Sequence, residues 1–237
     1  MKKLFVGVLC LALSLSVQGK EVNMTSPDGK YQFTLSDSGG QLHYSLTWNG
    51  KQTVKPSLLG INANVEWRDG VEIGTVDSSR KDTIWHPVYG ERSEIKDCYH
   101  AWKIVVNRQN GRDKLILDVR AYDEGIAFRY HFPGGQYLKI TDEYTEYTMP
   151  EGTKAYFTPK AQTPYSYLPL ENWPGESDRP LLLTLADGGY VCLAEAQVVD
   201  YVRTKFNVSP TKKNTIISAM YGPVEDIAPY STPWRVI

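Results

Sequence analysis

Glu195 is the residue with the most to do chemically. It closes the apolar run Tyr190-Val191-Cys192-Leu193-Ala194-Glu195-Ala196. A carboxylate at the end of an apolar central strand is costly to bury unless it is paired, hydrogen-bonded or bound to a metal. Glu195 is therefore either tied to a buried Arg or Lys, or a ligand at the rim of a sheet. A single carboxylate does not make a calcium site, because that ion takes roughly six to eight oxygens. Asp123-Glu124-Gly125 is a second acidic cluster, set between two clear strands. It reads as ordinary turn chemistry, with Gly125 supplying a positive φ. Arg129 points away from Phe128 and Tyr130 and is placed to pair with a carboxylate on its own sheet face.

Other chemistries find little support. The four histidines are His43, His86, His100 and His131. None stands in a His-x-x-x-His pair and no Cys-x-x-Cys occurs, so zinc has no ligand set. His43 and His131 fall at outward strand positions, and His86 and His100 in loop-like context. There is no Gly-x-Ser-x-Gly elbow and no phosphate-binding Walker loop. Cys98 and Cys192 either pair in an oxidising compartment or stay as two buried free thiols in strands. No catalytic residue is assigned.

The elements that would hold these residues are strands, since alternation is widespread and helical periodicity nearly absent. Tyr31, Phe33 and Leu35 share one face, as do Leu42, Tyr44, Leu46 and Trp48. Asn49-Gly50 then makes a hairpin turn, and the next run goes from Lys51 to near Pro56. Trp102, Ile104 and Val106 lead to a turn at Asn110-Gly111, with Leu115, Leu117 and Val119 returning. Ile126, Phe128, Tyr130 and Phe132 follow. Leu138 to Met149 is strand-like but carries Asp142, Glu143 and Glu146. Leu181 to Leu185 is apolar on both faces and looks central. Val71 to Val88 is polar and turn-rich. Thr158 to Pro180 is a long aromatic loop stiffened by Pro159, Pro164, Pro169, Pro174 and Pro180. It is either functional or an excursion packed on the sheets. Turn signals at this spacing predict an all-β sandwich.

Composition bounds the partners. The chain has 237 residues, with 26 Lys+Arg against 27 Asp+Glu. Near-neutral charge argues against a nucleic-acid partner. Lys2-Lys3, the apolar run Leu4–Leu15 and the small-residue end Val17-Gln18-Gly19 read as a signal peptide over residues 1–19. That leaves residues 20–237 as the mature domain. Cys10 lies inside the apolar run, behind Leu9, where a lipoprotein signal would place a small residue. No run is long enough to span a bilayer. The chain is expected to be exported and soluble, in the periplasm or on the outer surface.

Arg120-Ala121-Tyr122-Asp123-Glu124-Gly125-Ile126-Ala127-Phe128-Arg129-Tyr130 resembles the R-A-Y-D-x-G-x-A-F-R-Y signature of glycoside hydrolase family 97. Ser26-Pro27-Asp28-Gly29-Lys30, Leu42-His43-Tyr44-Ser45-Leu46 and Leu58-Leu59-Gly60 are similar to the start of that family's N-terminal domain. Ala194-Glu195-Ala196 with Asp200-Tyr201, and Thr232-Pro233-Trp234-Arg235, match further segments. The resemblance implies a large antiparallel β-super-sandwich of the galactose mutarotase-like kind. It also implies bacterial α-glucosidases or α-galactosidases whose catalytic carboxylates sit on a following (β/α)₈ barrel. A small C-terminal β domain completes such enzymes. A calcium ion near the active centre is held by several glutamates, one of them from the N-terminal domain, and Glu195 matches that one. The expectation is then a non-catalytic domain over residues 20–237, without barrel or C-terminal domain. Its partners would be the barrel and the parent's α-linked oligosaccharide, and calcium would bind weakly or not at all to the chain alone. Two alternatives stand beside it. One is a carbohydrate-binding module using Trp173, Tyr165 and Tyr167. The other is a mutarotase-like enzyme with a His and a Glu as acid and base.

Overall fold

A computed structural model describes residues 19–109 and 111–237. The signal segment through residue 18, and Asn110 of the expected turn, lie outside the described residues. Among these residues the regular secondary structure is all β apart from two short 3₁₀ turns, Ser38–Gly40 and Leu170–Asn172.

The strands form three antiparallel sheets. A seven-stranded sheet runs Glu21–Thr25, Tyr31–Ser36, Leu42–Trp48, Lys51–Leu59, Glu146–Thr148, Thr215–Met220, Thr204–Val208. A ten-stranded sheet runs Ser166–Pro169, Lys154–Phe157, Leu181–Thr184, Tyr190–Ala196, Trp234–Val236, Gly125–Phe132, Lys114–Tyr122, Ile95–Arg108, Val71–Trp85, with Tyr230–Ser231 added beside Gly125–Phe132. A four-stranded sheet of Val224–Ile227, Tyr137–Glu143, Ile61–Ala63 and Val65–Glu66 lies beside them.

The two large sheets pack face to face through the alternating apolar residues. Phe33 stacks on Tyr44 at 5.1 Å, and both meet Phe128 of the opposite sheet at 6.1 and 5.5 Å. Leu35, Leu46, Ile104, Leu117, Val119, Tyr130 and Leu193 fill the rest of the layer, all buried. Alternation puts one face of each strand in this core and the other outside. The all-β sandwich expected from the pattern is what the chain forms.

Local departures have local causes. Asn49 (φ 49°) and Gly50 (φ 75°) make the expected tight hairpin, since both positions need the left-handed conformation. The strand after it continues past Pro56 to Leu59, because Pro56 falls at a register shift where its missing N–H costs no ladder bond. The polar segment from Val71 is a strand through Trp85, paired along its length with Ile95–Arg108. Its outer half is the exposed edge of the sheet, and its last residues, 82–85 opposite 95–98, run on as a two-stranded ribbon, so no alternation marks it. His100 lies in the strand Ile95–Arg108, between Arg80 and Ala121 of the strands on either side, rather than in a loop. Leu138 to Met149 divides into Tyr137–Glu143 and Glu146–Thr148 in different sheets. That break turns Glu143 inward. Leu181–Thr184 is interior to its sheet, with Leu181 and Leu183 fully buried and Leu182 on the outer face. Cys98 and Cys192 are free thiols, the first buried and the second exposed. They stand four strand spacings apart, about 19 Å at 4.8 Å per strand, beyond the roughly 7 Å that a disulfide can bridge.

Candidate functional site

Glu195 sits where the sheets converge at one end of the sandwich. Its strand pairs with Trp234–Val236, which places Glu195 directly opposite Arg235; Arg235 in turn lies opposite Phe128. Phe128 is a core residue, so the pleat directs Glu195 and Arg235 into the interior as well. The Glu195 side chain is 2% exposed and that of Arg235 1%. Two buried charges in register across neighbouring strands must satisfy each other, and the Arg235 guanidinium reaches the Glu195 carboxylate at 2.8 Å.

Arg235 also holds a second acid. Its Nε donates to Oε1 of Glu143 at 2.8 Å and its Nη2 contacts Oε2, so the fork is bidentate. Glu143 comes from the four-stranded sheet and is fully buried. Thr145 Oγ1 donates to it at 2.7 Å and the Tyr201 hydroxyl at 3.2 Å. Burial works to raise the Glu143 carboxyl, but the charge and hydrogen bonds of Arg235 outweigh it and leave it below its ordinary range. Burial likewise opposes the Arg235 charge, and Glu143 overcomes it, holding the guanidinium well above its ordinary value. Burial pushes the Tyr201 phenol well up, so it stays a hydrogen-bond donor.

On the other side of Glu195 the partners come from loops. Ser177 bridges to Phe206 at the edge of the seven-stranded sheet, which delivers Asp178 and Arg179 beside Thr204. Thr204 Oγ1 donates to Oε1 of Glu195 at 2.6 Å. Arg179 Nη1 makes an ion pair with Oε2. The same nitrogen donates to the Thr204 carbonyl at 2.6 Å and contacts Thr204 Oγ1. Burial draws the Arg179 guanidinium below its ordinary value, offset in part by Glu195. Arg203 pairs with Asp178 at the surface side of the cluster.

Glu143 and Glu195 are thus balanced by Arg235 and Arg179, and Asp178 by Arg203. Among the described residues no group of three or more His, Cys, Asp or Glu side chains is placed to hold a metal. As they stand, the residues around Glu195 do not fit a calcium ion: one carboxylate faces two guanidiniums. No histidine is among the polar partners of Glu195. His86 and His100 bond backbone carbonyls at 3.0 and 2.9 Å, and His131 bonds Ser231 at 2.9 Å.

The other sequence-marked residues lie elsewhere. Arg129 pairs with Asp118 at 3.0 Å on the outer face of the ten-stranded sheet, as its position suggests. Arg120 and Arg129 stand 4.4 Å from the Trp234 ring, and Arg120 also stacks 4.7 Å from Tyr99. Asp123 accepts the Asp28 N–H at 2.9 Å, tying its turn to the first hairpin. In the Pro-stiffened segment Trp173 packs on Phe157 at 5.4 Å, while Tyr165 and Tyr167 are exposed. That segment also carries the strand Ser166–Pro169. Glu143, Arg179 and Thr204 were not singled out by sequence. An acid in the middle of the Tyr137–Thr148 run was the available sign of Glu143; Arg179 and Thr204 carried none.

The description "Glycosyl-hydrolase 97 N-terminal" matches residues 24–237. The chain belongs to glycoside hydrolase family 97, as its N-terminal domain. A retaining alpha-galactosidase of Bacteroides thetaiotaomicron is 29% identical over 159 residues, which cover 65% of this chain and 23% of that protein. A family 97 enzyme from Pseudoalteromonas sp. strain K8, solved with panose and with acarbose, superposes with a TM-score of 0.84 at 23% identity. The match covers 91% of this chain and 35% of that one. A beta-arabinopyranosidase structure gives 0.83 at 20% identity, over 91% of this chain and 39% of the other. These structural likenesses establish the fold of the family 97 N-terminal domain. The chain spans well under half the length of each of these relatives.

Proposed function

We propose that this domain is the non-catalytic N-terminal part of an exported family 97 α-glycosidase, an α-glucosidase or α-galactosidase. It packs against the catalytic barrel, walls the pocket for an α-linked oligosaccharide and presents the Glu195 end of the sandwich to the active centre. The pairing of Glu143 and Glu195 with arginines carries this reading. Glycoside hydrolysis needs two carboxyl groups facing each other across the scissile bond, one of them able to give a proton. Glu143, held below its ordinary range by Arg235, is poorly suited to that task. Export is supported by the Lys2-Lys3 start and the apolar run behind it. Calcium carries no part of this reading: the residues around Glu195 do not fit the ion as they stand, so the chain alone is expected to take it up weakly or not at all.

The test is assembly. The purified chain, mixed with the separately produced remaining domains of a family 97 relative, should form a one-to-one complex in sedimentation or calorimetry. Absence of any complex with several such partners, all folded, would refute the proposal. The exposed Tyr165 and Tyr167 favour a second reading, a sugar-binding module. Titration with maltooligosaccharides separates the two, because the scaffold reading expects no binding by the chain alone.

A further inference from the structure

The ten-stranded sheet has a gap in it. Trp234–Val236 lies between Tyr190–Ala196 and Gly125–Phe132, with Val236 opposite Ala194 on one side and Ala127 on the other. Ile237 exchanges main-chain hydrogen bonds with Ile126, at 2.9 Å each way. Bonded pairs alternate along an antiparallel ladder, so Val236 and Trp234 turn their main chain the other way, to Ala194 and Ala196. Cys192 and Tyr190, two and four residues before Ala194, share that orientation. The opposite side of their strand agrees. Leu185 N–H donates to the Gly189 carbonyl at 2.8 Å, so Leu183 bonds Val191, Leu181 bonds Leu193, and Cys192 and Tyr190 point away from that neighbour. Their N–H and C=O groups face a gap in which no described residue pairs with them. The gap is two strand spacings across, about 10 Å. It opens into a cavity of about 1120 Å³. The floor of that cavity is core, with Leu46, Ile126, Leu185 and Val191 all buried.

We propose that this gap takes one extended peptide strand, supplied by the remainder of the parent enzyme and lying in line with Trp234–Val236. The inference rests on the reading that this domain is one part of a larger glycosidase, and it adds how the two parts are joined. Main-chain groups inside a sheet need partners on both sides, and an open row of them is a template for another strand. A small ligand can cover the apolar floor but does not match the alternating donors and acceptors of Cys192 and Tyr190. A strand antiparallel to Tyr190–Ala196 matches all four groups at once. Its register follows from Val236 standing opposite Ala194. The first residue in line after Ile237 bonds Cys192 and the third bonds Tyr190. The second stands opposite Val191 and points to the floor, so it is apolar. Such a joint fixes the partner rigidly against the sandwich, which a flexible linker does not.

The test lengthens the chain at Ile237 by Thr-Val-Thr-Val, which turns valine inward at the second and fourth places. Amide hydrogen exchange reads the two edge residues. In the parent chain the Cys192 and Tyr190 amides should exchange faster than those of Val191 and Leu193. With the tail they should slow by about tenfold or more, because a bonded pair forms at each. The melting temperature should rise as well. A Pro-Val-Pro-Val tail keeps the inward residues, but its prolines lack the N–H that meets the Cys192 and Tyr190 carbonyls and do not fit mid-sheet. It should slow neither amide. Far-UV circular dichroism confirms that each chain is folded; a shorter Thr-Val tail, read at Cys192, replaces the longer one if that one is not. Cys192 and Tyr190 amides as slow as those of Val191 and Leu193 in the parent chain overturn the proposal. So does a folded tail that slows neither, or equal slowing with the proline tail. No catalytic domain takes part in this measurement, so its failure is distinct from a failure of complex formation, which tests the scaffold reading.

Discussion

Arg235 is the residue on which the interior charge balance turns, and Arg235→Met removes it at nearly constant volume. The guanidinium is 1% exposed and serves two carboxylates, Glu143 bidentately and Glu195 at 2.8 Å. Removing one partner of a buried ion pair costs about 3–5 kcal/mol, because the other charge stays buried without compensation. Glu143 loses a bidentate guanidinium outright, whereas Glu195 keeps Arg179 and Thr204; the full burial of Glu143 puts the cost towards the upper end, about 5 kcal/mol. For a domain of this size each kcal/mol moves the melting temperature by about 2–4 °C, giving a loss of about 10–20 °C. The pH dependence has a defined sign. In the parent chain Glu143 is held below its ordinary range. Its stabilisation is therefore present above the unfolded value of about 4.3 and fades as pH falls through the folded value. In Arg235→Met the burial of Glu143 is no longer opposed by Arg235, so its carboxyl is raised. The variant should recover stability as pH drops from neutrality towards about 4.3. Adding Glu143→Gln should restore part of the loss at neutral pH. Thermal melts by circular dichroism at several pH values measure all of this. A single variant melting within about 2 °C of the parent at neutral pH, or a deficit that does not change with pH, would refute the reasoning.

Three further outcomes follow from other parts of the fold. Arg129→Gln strands the largely buried Asp118 carboxylate, whose Oδ1 already lacks a partner. It should lower stability by about 1–3 kcal/mol in urea unfolding. Gly125→Ala would place its Cβ 2.5 Å from the Ile237 carbonyl oxygen, which accepts the Ile126 N–H at 2.9 Å. That clash should cost about 1–3 kcal/mol and speed hydrogen exchange at the Ile126 amide. Of Cys98 and Cys192, only Cys192 should react with a thiol reagent in the native chain, with Cys98 appearing on unfolding. The reaction should accelerate with pH, since burial pushes the Cys192 thiol up.

The sandwich was legible because its inner faces alternate. Phe33 and Leu35, Tyr44 and Leu46, Leu117 and Val119 each announce a strand and its buried side. The edge strand beyond Val76 was not legible, since main-chain pairing rather than a core holds it and its side chains, polar up to Thr83 and then Ile84 and Trp85, are largely exposed. The cluster around Glu195 was half legible. A carboxylate ending an apolar strand shows that a partner is needed, and Arg235 stands in a segment already marked by its resemblance. That Arg235 is directly opposite is a matter of register, which the last strand fixes only once it has paired. Arg179 and Thr204 reach Glu195 by tertiary folding of separate segments, and nothing local in the sequence announces that. Glu143 was visible as a charge in a strand, but the turn that sends it inward depends on the strand dividing between two sheets.

The central claim is that these sheets form a scaffold and run no reaction by themselves. The most direct measurement is hydrolysis of aryl α-glucoside and aryl α-galactoside by the purified chain, followed to high enzyme concentration. The account expects release no faster than the buffer control, with and without calcium. Saturable turnover that co-purifies with the chain and is lost in Glu195→Gln would contradict it.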